Sequence, residues 1–475
     1  MKALLPTIFL SAAMVGAACS PHKVTRNPAP PIAIPTAYSS ISAEGANLSD
    51  KWWKDFGDPE LDKLVDSALR GNLQVRAAWQ RVAQARAIAK QAGAGKFPAI
   101  NITSAVRKQN DQSFGPPGSP SFVVPTSPVS IEASYEVDIF KKVGNSQAAA
   151  MSDSMAARDQ VESMAMTLVA QIAETWFSLS AQRARLKLLD EQIKTSAQFL
   201  ELAEMRLGQG LGSSVDMLQQ KAQLAAVEGQ RPLLESSVSV LENQLAILTG
   251  RAPSEFTAAV QEELPVLPAR PSSGVPADLL LRRPDVRAAR LQVEAADYRV
   301  AVAVANRLPS LRLGASYGPF QVADLVFSTA NIWQIGANLL APIFQGGRLK
   351  AEVTRNEAVV QEKSYNFGQT LLQALVEVEN AAIQESKQIE YVAELQEQLV
   401  ISQQTLEEAR QRYGAGLGND SFVQILLSLT SSQRIEQSLL LAQKQALSHR
   451  IQFCRALGGS WTQELEDSSK GSKNE

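Results

Sequence analysis

The residues that could do chemistry here are mostly carboxylates, and they fall into two sets. From Val129 to Ile139 the chain alternates: Val129, Ile131, Ala133, Tyr135, Val137 and Ile139 on one face, Ser130, Glu132, Ser134, Glu136 and Asp138 on the other. Period-two alternation is a strand signature. About eleven residues with one apolar and one carboxylate-bearing face suit a strand with hydrocarbon on one side and water on the other. Glu132, Glu136 and Asp138 would then face the water, although a half-buried sheet in a soluble domain would satisfy the same pattern. The second set follows two glycine clusters: Asp216 after Gly208/Gly210/Gly212, and Asp420 after Gly414/Gly416/Gly418. Asp216 complements the N-terminal dipole of a following helix, with Ser213 or Ser214 as cap. Arg206 and Arg412 precede the same clusters, where a cation complements a helix C-terminus.

Nothing else suggests bond-making chemistry. There is no Ser/His/Asp or Cys/His constellation. Gly208-Gln209-Gly210-Leu211-Gly212 follows a helix rather than a strand, which argues against a phosphate loop. His22 lies in a proline-rich stretch and His449 on a helix, both read as structural or solvated. Two cysteines and two histidines do not support a metal cluster, and no cofactor is expected. A formal charge of -2 gives no electrostatic case for nucleic acid. The sequence reads as a non-enzyme.

The N-terminus is an export signal. Lys2 precedes an apolar run from Ala3 to Val15, then Gly16-Ala17-Ala18-Cys19-Ser20. Small residues ending in cysteine resemble a bacterial lipobox, which makes Cys19 a lipidation site and the mature N-terminus. Gly16 departs from that pattern, and cleavage near Ala18 without lipidation is the alternative. Ser20 after the cysteine implies transfer to the outer membrane. Residues 1–18 are therefore a signal peptide and 19–50 a Pro/Ala/Ser-rich extended tether. Cys454 reads as a small buried hydrophobe.

The rest of the chain is a duplication. Val75-Arg76-Ala77-Ala78 recurs 211 residues on as Val286-Arg287-Ala288-Ala289. Arg206-Leu207-Gly208-Gln209-Gly210-Leu211-Gly212 recurs 206 on as Arg412-Tyr413-Gly414-Ala415-Gly416-Leu417-Gly418. Two copies of one structural unit follow, 51–250 and 281–459, with a proline-rich linker 251–280 and a polar tail 460–475. Each copy should hold a helix (about Pro59 to Ala92 in the first), two strands and a long helical hairpin. The strands are expected near 99–108, 129–139, 310–317 and 332–341. Ile172, Leu179, Leu186, Ile193, Leu200 and Leu207 lie seven apart, as do Val378, Glu385, Val392, Leu399, Leu406 and Tyr413, which predicts coiled-coil packing. A helix from Lys142 to Leu207 would be roughly 100 Å long at about 1.5 Å per residue. Return helices are expected from about Ser214 to Thr249 and from about Ser421 to Leu457.

Four strands cannot close a barrel, and an edge open to lipid leaves backbone groups unsatisfied. If the strands are membranous, several chains must share one barrel.

The sequence resembles the outer membrane factor (TolC-like) family, and within it the NodT-type efflux lipoproteins. The resemblance is carried by Trp52-Trp53, Asp58-Pro59-Glu60-Leu61, Leu281-Arg282-Arg283-Pro284-Asp285-Val286-Arg287, Leu308-Pro309, Ala341-Pro342-Ile343-Phe344-Gln345-Gly346-Gly347-Arg348 and Ala456-Leu457-Gly458-Gly459-Ser460-Trp461. It implies an α+β membrane protein: a homotrimer whose four strands per chain complete a shared twelve-stranded outer-membrane β-barrel, continued by a coiled-coil α-barrel through the periplasm. It implies an efflux channel docked to a periplasmic adaptor and an inner-membrane pump. The glycine turns would be the periplasmic tip, with Asp216, Asp420, Phe422 and Val423 as gate candidates and Arg206, Gly210, Arg412 and Gly416 as adaptor-contact candidates. The second copy departs from the family pattern, because the 206-residue offset sets Phe422 opposite Asp216 and shifts the nearest carboxylate to Asp420. A polypeptide-secretion channel, or a periplasmic coiled-coil adaptor or structural lipoprotein, are the rival readings.

Overall fold

The computed structural model describes residues 21–39, 49–104, 129–259, 262–321, 329–415 and 422–465. Its elements run α1 (Pro59–Gly71), α2 (Leu73–Ala94), β1 (Ala99–Ser104), β2 (Val129–Val137), α3 (Lys142–Gly208), α4 (Ser214–Glu228) and α5 (Arg231–Thr249) in the first copy. The second copy holds α6 (Pro284–Ala305), β3 (Ser310–Gln321), β4 (Thr329–Leu340), α7 (Arg348–Ala415) and α8 (Phe422–Leu457). No described helix is long and apolar enough to cross a membrane. Contacts divide the chain into two compact units. The first contains residues 81–158 and 288–368 with the N-terminal stretch; the second contains 32–80, 159–287 and 369–475.

In the first unit four strands pair antiparallel in the order β1-β2-β3-β4. The register sets Ile102 opposite Ile131, Ile131 opposite Tyr317 and Tyr317 opposite Trp333. Ala133, Ala315 and Ile335 form the next apolar row, so the alternation in each strand merges into one continuous face. Ile102, Trp333 and Ile335 on it are 71% exposed or more. β2 ends at Val137, two residues before the expected limit. Asp138 stops it by turning into α3, where Oδ1 accepts from Val143 N at 2.9 Å and Oδ2 from Gly144 N at 2.7 Å. Beyond Ser104, the first expected strand lies outside the described residues.

The described part of the tether makes specific contacts that its composition does not suggest. In the first unit His22 Nε2 lies 2.6 Å from Asp297 Oδ1, and Thr25 N donates to Asp297 Oδ2 at 2.7 Å. An extended proline-rich segment makes no internal hydrogen bonds, so its donors are available to a buried carboxylate. In the second unit Tyr38 is buried and Ser39 N and Oγ both donate to Glu379 Oε1.

The second unit shows the duplication as chemistry. α1 begins at an Asp58 N-cap, whose Oδ1 accepts from Glu60 N and Leu61 N, with Pro59 in the first turn. Asp58 Oδ2 also accepts from Trp176 Nε1 of α3 at 2.7 Å. The expected single helix from Pro59 to Ala92 is broken at Asn72, whose carboxamide caps α2 and donates to Leu248 O at 2.9 Å. The position 211 residues on is Arg283, which donates to Ala456 O at 3.2 Å. Leu248 and Ala456 close α5 and α8, and each helix ends at a left-handed glycine, Gly250 (φ 76°) and Gly458 (φ 77°). A Cβ at Gly250 would stand 2.4 Å from Gly71 O, and one at Gly458 2.8 Å from Arg282 O. Both copies therefore demand glycine twice over, by φ and by close approach.

The first return helix is not continuous. It breaks at Gly229-Gln230 between α4 and α5 because Pro232 has no N–H to continue the ladder, whereas α8 runs unbroken for 36 residues. The linker keeps two short 3-10 turns, Pro253–Glu255 and Pro276–Asp278. The first residues of the expected polar tail form a 3-10 turn, Ser460–Glu464, and its remainder from 466 lies outside the described residues. Trp461 is buried against Trp53 with ring centroids 4.9 Å apart, so the terminal motif closes onto the first one.

Candidate functional site

Two regions carry the sequence-derived candidates: the polar face of the sheet and the turn between α3 and α4. On the sheet, Glu132 Oε1 accepts from Thr103 Oγ1 at 2.8 Å and Ser130 Oγ at 3.2 Å. Glu136 takes Lys142 Nζ on one oxygen at 2.7 Å and Arg312 Nη2 on the other at 3.3 Å. Asp138, expected to share this face, serves instead as the cap of α3. Arg312 was not singled out by the sequence; only the register, which sets it opposite Glu136, reveals it.

At the turn, Leu211 N donates to Arg206 O and Gly210 adopts φ 74°, closing α3 in the left-handed manner expected of its glycines. Arg206 Nη2 reaches Leu211 O at 3.4 Å. Ser213 and Asp216 form a reciprocal capping box, in which Val215 N donates to Ser213 Oγ at 3.1 Å and Ser213 N to Asp216 Oδ2 at 3.4 Å. Asp216 thus has the local role expected of it at the helix start. In the second copy Gly416 and Asp420 lie outside the described residues, as does Cys19. Arg412 is exposed in the last turn of α7, and Phe422 and Val423 open α8, with Val423 45% exposed.

Between the two long hairpins the sequence signal was apolar, yet the seam contains buried amides. Gln192 of α3 and Gln433 of α8 each donate to the other's backbone carbonyl, at 3.2 and 3.4 Å. Gln433 also reaches Ser196 Oγ at 3.3 Å, and Gln220 of α4 donates to Ser196 O at 2.8 Å. Closer to the turn, Phe199, Ala203, Ile425 and Leu429 form an apolar cluster. Gln192 also donates to Glu436 Oε2 at 3.0 Å and accepts from Gln437 Nε2 at 3.0 Å, and buried amides with so specific a set of partners fix the register in which two coiled-coil helices meet.

Two motif arginines lock the long helices in the second unit. Arg283 binds Asp285 at 2.7 Å and Glu377 at 2.8 Å, while Arg287 binds Asp159 at 2.9 Å and also Glu162. Burial lowers the affinity of both guanidiniums for their protons, but hydrogen bonds and charge attraction from these carboxylates outweigh it and hold both pKa values above the ordinary arginine range. Cys454, 4% exposed on α8, has its thiol pushed up to about 12 by burial. It should resist a maleimide in the native protein at about pH 8 and react fully after denaturation. Rapid native labelling followed by mass spectrometry would contradict that burial.

A four-stranded antiparallel sheet with one largely apolar face and one charged face is what the wall of an outer-membrane barrel requires. The chain belongs to the outer membrane efflux protein family, whose model matches residues 64–251 and 275–459. It is an outer-membrane efflux channel protein. It is 30% identical over 453 residues to the pyoverdine export outer membrane protein OpmQ of Pseudomonas putida, covering 91% of this chain and 94% of that one. It is 26% identical over 414 residues to the toluene efflux pump outer membrane protein TtgI of the same species, covering 86% and 87%. Its fold matches the outer-membrane channel OprN with a TM-score of 0.84 at 26% identity, covering 94% of this chain and 100% of that chain. These relatives are channel proteins rather than enzymes.

Proposed function

We propose that three copies of this chain form a passive conduit for small molecules, anchored by a lipid on Cys19 and fed by a periplasmic adaptor and an inner-membrane pump. One observation carries the reading: the described sheet has four strands, and β1 and β4 are both unpaired at its edges. Edges beside an exposed apolar face are satisfied in lipid when sheets from other copies pair with them. Three sheets of four give twelve strands, within the range of known outer-membrane barrels. Glu132 and Glu136 then line water. The turns bearing Arg206, Gly210 and Asp216, and Arg412, Gly416, Asp420, Phe422 and Val423, form the end that meets the adaptor and narrows the path. Relatives named for pyoverdine export and toluene efflux favour small solutes over polypeptides. A relative named a probable outer membrane lipoprotein, 26% identical over 467 residues, favours the anchor.

An unboiled gel of outer-membrane fractions tests both parts. The wild type should run as a heat-sensitive trimer, and Cys19→Ala should lose lipid and mature more slowly. A monomer in the soluble periplasm would overturn the channel assembly.

A further inference from the structure

The polar face of the sheet is uneven. At its centre Gly314 stands opposite Gly336, and a Cβ built on either meets nothing within 4 Å. A depression opens there, bordered by Glu132, Ser134, Arg312 and Asn338. The charges around it are unequal. Toward Val129, Glu132 is held by two hydroxyls. Toward α3, Lys142 and Arg312 share the single carboxylate of Glu136, while Asp138 is committed to the backbone of the helix. Lys142 makes the shorter contact with Glu136, and the Arg312 side chain remains 63% exposed. A guanidinium offers five donors in a planar fork suited to carboxylate, sulfonate and phosphate groups.

We propose that Arg312, with Ser134, Asn338 and the Gly314–Gly336 saddle, forms a subsite for the anionic group of a passing solute. The paired glycines let the body of the solute approach the sheet while its charge rests on the guanidinium. This rests on the reading of the polar face as the channel lumen. In a shared barrel the subsite occurs once per chain, and an incoming anion would compete with Glu136 for the exposed Arg312 guanidinium.

The test probes the subsite from outside, so the periplasmic end does not limit the signal. Gly314→Cys in outer membranes is treated with sulfonatoethyl or trimethylammonioethyl methanethiosulfonate at low salt. With each rate referenced to that of a free thiol in solution, the anionic reagent should be favoured, and adding Arg312→Gln should lower the anionic-to-cationic rate ratio by about fivefold or more, as expected for one charge a few ångströms away. Arg312→Lys should restore part of the ratio. An unchanged ratio in Arg312→Gln would overturn the subsite while leaving the lumen intact. If neither reagent reaches Gly314→Cys until the protein is denatured, the lumen reading fails and the subsite with it.

Discussion

Replacing Arg450 with methionine should lower the stability of the folded chain by about 3–5 kcal/mol, the usual cost of leaving a buried charge without its partner. Glu385, on α7, is fully buried, and Arg450, on α8, is 2% exposed. Arg450 Nε donates to Glu385 Oε1, and Nη1 donates to the carbonyls of Pro268 and, at 2.9 Å, Ala269. One guanidinium thus neutralises a carboxylate inside the helical packing and fastens the inter-repeat linker over it. Arg270 approaches the other oxygen of Glu385 at 3.4 Å from a more exposed position and offers only partial compensation. The double change Glu385→Leu with Arg450→Met should recover most of the loss, because removing both charges also removes their desolvation cost. Thermal unfolding of the detergent-solubilised protein, followed by circular dichroism, reads both effects. A single mutant as stable as the wild type would show that the pair contributes little.

Ile335→Arg should block assembly in the outer membrane, whereas Gly336→Ser, one residue along the same strand, should be tolerated. Ile335 lies near the middle of β4 in the row Ala133–Ala315–Ile335, 76% exposed on the apolar face. An arginine facing lipid at mid-depth costs about 2–4 kcal/mol per chain, and every copy in the barrel would bear it. Gly336 points to the opposite face, where an added side chain meets nothing within 4 Å. The fraction of each variant in heat-sensitive outer-membrane species is the measurement. Equal tolerance of both changes would remove the lipid from the apolar face.

The strands and long helices were legible because their patterns are local. Period two from Val129 to Val137 and the heptads of α3 and α7 each need only a few neighbouring residues to express a face. The capping role of Asp216 was legible for the same reason, since a cap and its N–H partners lie within three residues. The break at Gly229-Gln230 was missed because the duplicated copy suggested an unbroken helix, while Pro232 signalled locally against it. Asp138 was placed by alternation on the water side, yet the helix start immediately after it competed for the same carboxylate and won.

Glu385 marks the limit of such reading. Its heptad position, between Val378 and Val392, looks like a flaw in an apolar seam until Arg450 arrives from 65 residues away. Arg312 likewise gains its meaning from cross-strand register with Glu136, and Asn72 and Arg283 from carbonyls at the ends of helices more than 170 residues distant. The sequence by itself determined the duplication, the two-faced strands, the two long helices α3 and α7 and the glycine turn after α3, because each depends on periodicity or on backbone conformation within one segment. Only the tertiary structure decided which buried charge meets which, where the tether rests and which side chains share the polar face, because those pairings depend on distances between segments that no local pattern encodes.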